Sequence, residues 1–170
     1  MLLERLLVGV RRQVALADGY EWTCEANPGS SDAERFRVLA AHGVNRLSLG
    51  VQSTHDHHLR FLGRIHSSAE AERALTLARG IFPRVSMDLM FALPGQSAAE
   101  LDADLDVVAR HGLTHASCYH LAYESGTEFA AKLRRGELHE AEEEHSLMLI
   151  RRADERFRAI GLDRYETSNY

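Results

Sequence analysis

Four polar residues sit at or near the ends of apolar runs, and their types define the chemistry open to this chain. Glu25 precedes the turn Asn27-Pro28-Gly29, Gln52 closes the run Leu47-Ser48-Leu49-Gly50-Val51, and Asp88 lies inside Val85-Ser86-Met87-Asp88-Leu89-Met90-Phe91. Arg64 follows Gln52 after one helical excursion. A glutamine is a neutral donor and acceptor, suited to ribose or adenine edges. An arginine suits bidentate capture of a carboxylate, although a lone one more often makes a surface ion pair. A carboxylate such as Glu25 before a turn can equally cap a nearby amide. An acid inside an apolar run is costly unless it has a partner or lines a cavity, which makes Asp88 a candidate site residue.

Other chemistries find less support. The run His55-Asp56-His57-His58 invites a metal reading, but neighbouring helical residues point in different directions. It therefore reads as solvated surface, and no His-Glu-x-x-His pattern is present. Cys24 and Cys118 are the only cysteines and lie far apart. They read as small core residues, and they exclude both a disulfide-dense scaffold and an all-cysteine metal site made by this chain alone. A cytosolic location follows as an expectation. No Gly-x-Ser-x-Gly elbow, phosphate loop or Gly-rich dinucleotide fingerprint occurs.

The elements that must position these residues alternate between helix and strand. Apolar spacing predicts helices over about 2–17, 31–42, 56–62, 68–80, 98–111, 127–135 and 140–160. Strands are expected over 20–26, 47–51, 85–93 and 116–122, with 165–170 open between a strand and a loop. Ser31…Glu34, Ser67…Glu70 and Ser97…Glu100 each fit a capping box. Gly43, Gly112 and Gly161 each follow a helix and precede Val or Leu, as left-handed terminators do. Short, apolar strands without alternation fit a parallel sheet covered by helices. Glu25, Gln52 and Asp88 then fall at the C-terminal strand ends. Both a (β/α) barrel and an open doubly wound sheet build sites there.

Composition narrows the function class. The chain has 170 residues, 45% hydrophobic and 26% charged, which is ordinary for a single globular domain. Its 25 acidic against 20 basic residues give a net charge of −5, which argues against a general nucleic-acid binder. No apolar run reaches the ~18 residues of a transmembrane helix, and no basic segment opens a secretory signal.

Taken in order, several segments are specific. They are Glu25-Ala26-Asn27-Pro28-Gly29, Asn45 to Ser53, Leu62-Gly63-Arg64-Ile65-His66, Asp88 to Gln96, and Tyr165-Glu166-Thr167-Ser168-Asn169-Tyr170. This set resembles the radical S-adenosylmethionine (radical SAM) proteins related to oxygen-independent coproporphyrinogen III oxidase. The Asn-Pro-Gly turn, Val-Gln-Ser and Leu-Gly-Arg-Ile-His are most similar to the haem chaperone (HemW) branch. The resemblance implies an α/β fold, a partial (β/α) barrel of parallel strands lacking the first strands of the family's six. It implies S-adenosylmethionine held by Glu25, Gln52, Arg64 and Asp88, with Arg64 on the methionine carboxylate. It also implies a [4Fe-4S] cluster whose ligands lie outside this chain, and haem or a porphyrinogen as the partner of the complete protein.

Departures from the family pattern accompany the resemblance. The Cys-x-x-x-Cys-x-x-Cys loop, the Gly-Gly-Gly-Thr-Pro segment and the His-Asn-x-x-Tyr-Trp segment are not found, and Ala92 stands where the family has Gly. Residues 1–170 are accordingly expected to form one incomplete barrel domain, inactive by itself, with an open edge at its first strand. The alternatives are a decarboxylating oxidase and a catalytically silent fragment.

Overall fold

The computed structural model describes residues 2–170. In chain order the elements are α1 (Leu2–Gln13), β1 (Thr23–Ala26), a 3-10 turn (Pro28–Ser30), α2 (Ala33–Ala41), β2 (Arg46–Gln52), α3 (Asp56–Phe61) and α4 (Ser68–Arg79). There follow β3 (Arg84–Phe91), α5 (Ala98–Arg110), β4 (Ala116–His120), α6 (Glu128–Arg134) and α7 (Glu143–Ala159). The four strands form one parallel sheet in the order β1-β2-β3-β4. Each crossover carries at least one helix, as parallel neighbours require.

Register explains how the sheet separates its two faces. Leu47 pairs with Val85, Leu49 with Met87, and Met87 with Ala116, all buried under Leu75, Leu101, Leu105, Leu149 and Phe157 of the helices. The residues between them pair as Glu25 with Ser48, Ser48 with Ser86, Gly50 with Asp88, and Asp88 with Ser117. The strands therefore do alternate, contrary to the expectation of non-alternating apolar runs. Helices cover only one face. The other is the inner face of a partial barrel, where polar side chains meet water or a ligand.

The local signals hold with one shift. Ser67 and Ser97 form complete capping boxes with Glu70 and Glu100. At α2 the cap is Asp32, which accepts from the Arg35 amide at 2.7 Å, one residue beyond the expected Ser31. The 3-10 turn moves the helix start, and the Ser31 hydroxyl donates back to the Asn27 carbonyl at 2.7 Å. Gly43, Gly112 and Gly161 adopt left-handed φ, and the amides of Val44, Leu113 and Leu162 reach back to Leu39, Val108 and Phe157.

The segment 165–170 resolves as an edge extension. Asn169 bridges Ser117 in antiparallel fashion, the Ala116 and Tyr170 backbones exchange hydrogen bonds, and the Tyr170 hydroxyl donates to Asp154 at 2.6 Å. At the opposite side β1 pairs only with β2, so it is the open edge that was expected. Helix α1 ends at Gln13, short of the expected 17, and shows solvent Leu2, Leu6 and Val10.

Candidate functional site

A cleft of about 490 Å³ opens on the polar face, lined by Glu25, Arg46, Ser48, Gln52, Asp88 and Ser117, with His115, Tyr165 and Asn169 at its far side. Its floor is a chain of oriented donors. The Arg46 guanidinium donates to Ser86 Oγ at 3.3 Å, Ser86 donates to Ser48 Oγ at 2.9 Å, and Ser48 donates to Asp88 Oδ1 at 3.0 Å. Among the described residues Asp88 thus has a hydroxyl partner and no ion pair. Burial pushes its carboxyl pKa up; donation from Ser48 opposes this, and the Glu25 charge adds to the rise. Two carboxylates facing one polar cleft favour a cationic or hydroxyl-rich ligand.

At the far side, Arg46 Nη2 lies 3.1 Å from His115 Nδ1, and His115 Nε2 lies 2.8 Å from the Tyr165 hydroxyl. The Ser117 hydroxyl donates to Asn169 Oδ1 at 2.9 Å. The C-terminal segment thereby closes one wall of the cleft.

Gln52 is positioned by strain. The β2–β3 register slips between Gly50 and Gln52, and Gln52 takes φ +71°. A non-glycine residue there costs about 1–3 kcal/mol, so its surroundings must hold it. Asp104 of α5 supplies that hold. It is fully buried and accepts from the Thr54 amide at 2.6 Å, the Thr54 hydroxyl at 2.6 Å and the Ser53 hydroxyl at 3.1 Å. Gly50 makes room for the result. A Cβ there would lie 3.0 Å from Gln52 Nε2 and 3.4 Å from Asn27 Oδ1.

Arg64 lies outside the lining of this cleft, over a separate shallow depression with Asp56, His66 and Glu70. Its Nη1 donates to Asn27 Oδ1 at 3.3 Å. The Arg64–His66 loop packs on the Asn27-Pro28-Gly29 turn, and His66 Nε2 lies 3.2 Å from the Val51 carbonyl. So Glu25, Gln52 and Asp88 share one cleft, while Arg64 reaches its rim through Asn27. Ala92 follows β3 at φ +57° and is buried, a left-handed turn in which the family's glycine would be unstrained.

The histidine run needs correction. His57 is exposed, but His58 is 2% exposed and packs inward beside Leu59, so solvated surface describes only part of the run. The first turn of α3 tucks beneath the start of α5, where His57 Nε2 lies 3.0 Å from Glu100 Oε1. The Ser97 amide and hydroxyl hold the Glu100 carboxyl down to about 2.

The cysteines offer no cluster ligands. Cys24 on β1 and Cys118 on β4 are three strands apart, about 14 Å at ordinary strand spacing. Burial pushes both thiols up, away from the thiolate a metal needs. Among the described residues, then, no thiolate set fits an iron–sulfur cluster.

Sequence reasoning passed over Arg46, Ser48, His115, Ser117, Tyr165, Asn169 and Asp104. Two signals were legible. Arg46-Leu47-Ser48-Leu49-Gly50-Val51 alternates with period two, and Asp104 sits on the helical stripe Leu101, Leu105, Val108.

Comparison with known proteins adds to this geometry. The sequence profile described as the Radical SAM superfamily matches residues 2–108. The mouse protein named "Radical S-adenosyl methionine domain-containing protein 1, mitochondrial" is 38% identical over 166 residues, 97% of this chain and 38% of that protein. "Heme chaperone HemW" of Escherichia coli is 44% identical over 131 residues, 76% of this chain and 35% of that protein. The solved radical SAM enzyme coproporphyrinogen III oxidase (HemN) of Escherichia coli superposes with a TM-score of 0.85 at 23% identity. That match covers 98% of this chain and 38% of the oxidase, and it shows the shared fold. The chain therefore spans well under half the length of these relatives.

Proposed function

The chain belongs to the radical SAM superfamily, and from that premise we propose that its cleft binds S-adenosylmethionine within a haem chaperone of the HemW kind. Family membership brings S-adenosylmethionine and a [4Fe-4S] cluster as shared cofactors. The observation that carries the proposal is the convergence of Glu25 and Asp88, two carboxylates, on a hydroxyl-lined cleft along the polar face of the sheet.

The donor set fits the ligand's chemistry. S-adenosylmethionine carries an α-amino group, a sulfonium, a carboxylate and a ribose diol. Glu25 and Asp88 are placed to accept from the amino group or diol and to offset the positive sulfonium. Gln52, with both a donor and an acceptor, suits ribose or adenine. Arg64 answers the carboxylate if its side chain swings from Asn27 toward the cleft rim. When bound, the cofactor supplies one-electron chemistry on reduction. This chain's residues contribute binding and orientation, and no step is assigned to a cluster whose ligands it does not hold.

Haem chaperone is preferred to decarboxylating oxidase because the motif wording and several similar sequences named Heme chaperone HemW agree on it. The likeness to the oxidase structure is one of fold. Haem or a porphyrinogen would then be the partner of the complete protein. Two free thiols accord with a reducing cytosolic compartment.

The test is calorimetric titration of the 170-residue chain with S-adenosylmethionine. Saturable one-to-one binding, weakened at least about tenfold by Asp88→Asn, is expected; a tenfold loss is about 1.4 kcal/mol. Binding that is absent, or indifferent to Asp88→Asn, overturns the proposal. In the complete protein, haem binding without porphyrinogen decarboxylation separates the chaperone from the oxidase.

A further inference from the structure

Outside the cleft, three side chains from two helices converge on one point. His57, His58 and Glu100 each offer one ligand atom, and these three atoms lie within 4.8 Å of one another. His57 Nε2 is 3.0 Å and His58 Nε2 is 3.7 Å from Glu100 Oε1. We propose that these three atoms form a binding site for a divalent transition metal of the zinc class, joining α3 to the start of α5.

The decisive observation is the state of His58. Its side chain is 2% exposed, and its Nε2 is buried with no hydrogen-bond partner among the described residues. The 3.7 Å to Glu100 exceeds hydrogen-bond range. A buried polar atom left unpaired carries a desolvation cost of about 1–3 kcal/mol and calls for an explanation. A metal ion between His58, His57 and Glu100 removes that cost.

Glu100 is prepared for the role. Its Oε2 is occupied by the Ser97 amide at 2.8 Å and the Ser97 hydroxyl at 2.7 Å, which complete the α5 capping box. Its Oε1 is thereby held in one direction, toward the two imidazoles. The cap fixes the ligand's orientation as outer-sphere hydrogen bonds do in established metal sites.

Adjacent helical histidines ordinarily diverge. Here they occupy the first turn of α3, and their ring centroids are 4.0 Å apart. With metal–ligand bonds of about 2.0–2.1 Å, a tetrahedral site needs ligand–ligand edges of about 3.3 Å. The two edges to Glu100, 3.0 and 3.7 Å, bracket that value; the third edge, between the imidazoles, is at most 4.8 Å, so closure draws their nitrogens together by up to about 1.5 Å. Two imidazoles and one carboxylate leave the fourth position to water. The set is independent of the S-adenosylmethionine reading, since none of its members lines the cleft.

The test uses the untagged 170-residue chain, stripped with a chelator and titrated with zinc ion alone. One zinc per chain is expected. Zinc at a hundredfold excess over its Kd should raise the Tm by about 5–10 °C, because the ion binds only the folded chain. His57→Ala removes an exposed side chain, and Glu100→Gln retains a capping acceptor, so both variants should fold. Each should weaken zinc binding at least about tenfold. Failure to take up zinc saturably, or indifference to either substitution, overturns the assignment.

Discussion

Asp104 is expected to be the residue on which the shape of the cleft depends most, though it touches no ligand. It stands on α5 with no solvent exposure and accepts from the Ser53 hydroxyl, the Thr54 hydroxyl and the Thr54 amide. Ser53 is itself fully buried, and its oxygen in turn accepts from the His55 amide at 3.2 Å. Asp104→Ala strands at least the Ser53 hydroxyl and the Thr54 amide. At about 1–3 kcal/mol for each unpaired donor, the loss should be about 2–6 kcal/mol. Relief of the buried charge works the other way, for burial already pushes this carboxyl's pKa up. The expected net is therefore about 2–4 kcal/mol, or a fall in Tm of roughly 4–16 °C for a chain of this size. Asp104→Asn keeps one oxygen for Thr54, and the Ser53 hydroxyl can turn to accept from the new amide. Its cost should be near 1 kcal/mol. Urea unfolding followed by circular dichroism measures both variants. Titration with S-adenosylmethionine then asks whether Gln52 still holds its left-handed geometry; Asp104→Ala should weaken binding more than Asp104→Asn does. An alanine variant within about 0.5 kcal/mol of wild type would refute the account, since such a change is what an uninvolved surface position shows.

Two further predictions bear on the same elements. Gly50→Ala places a Cβ 3.0 Å from Gln52 Nε2, so S-adenosylmethionine affinity should fall several-fold while urea stability changes by less than about 1 kcal/mol; unchanged affinity would mean that Gln52 does not need this space. Glu70 caps α4, and donation from the Ser67 amide and hydroxyl holds its carboxyl below 4.5. Its folded pKa is thus depressed, so its contribution is present above about pH 4.5 and is lost as pH falls through the lower folded value. Glu70→Gln should flatten the stability profile between pH 5 and 3 relative to wild type, and parallel profiles would count against the capping role.

The order of helices and strands was legible because each boundary is set by local chemistry. Ser67…Glu70 and Ser97…Glu100 satisfy free amides within one turn, and Gly112 ends α5 by a backbone angle that other residues resist. The family was legible for a related reason: its motif residues lie in short contiguous segments around tight turns, where sequence and backbone are most closely bound together. Ala92 shows this directly, since its place in a glycine position translates into an observed φ of +57°.

What tertiary structure alone decided is which segments meet. The sequence presents Glu25, Gln52 and Asp88 as three separate strand ends, and only parallel register places Gly50 beside Asp88 and brings Ser48 within 3.0 Å of it. Arg64 looks equivalent to the other three in sequence, yet the loop after α3 carries it to the rim, against Asn27. His58 reads as surface among polar neighbours, and packing of α3 under α5 buries it against Glu100, 42 positions away. Local interactions of a few residues fix caps, turns and strand length. Contacts across tens of residues depend on how faces pack, and no pattern within one segment encodes its partner.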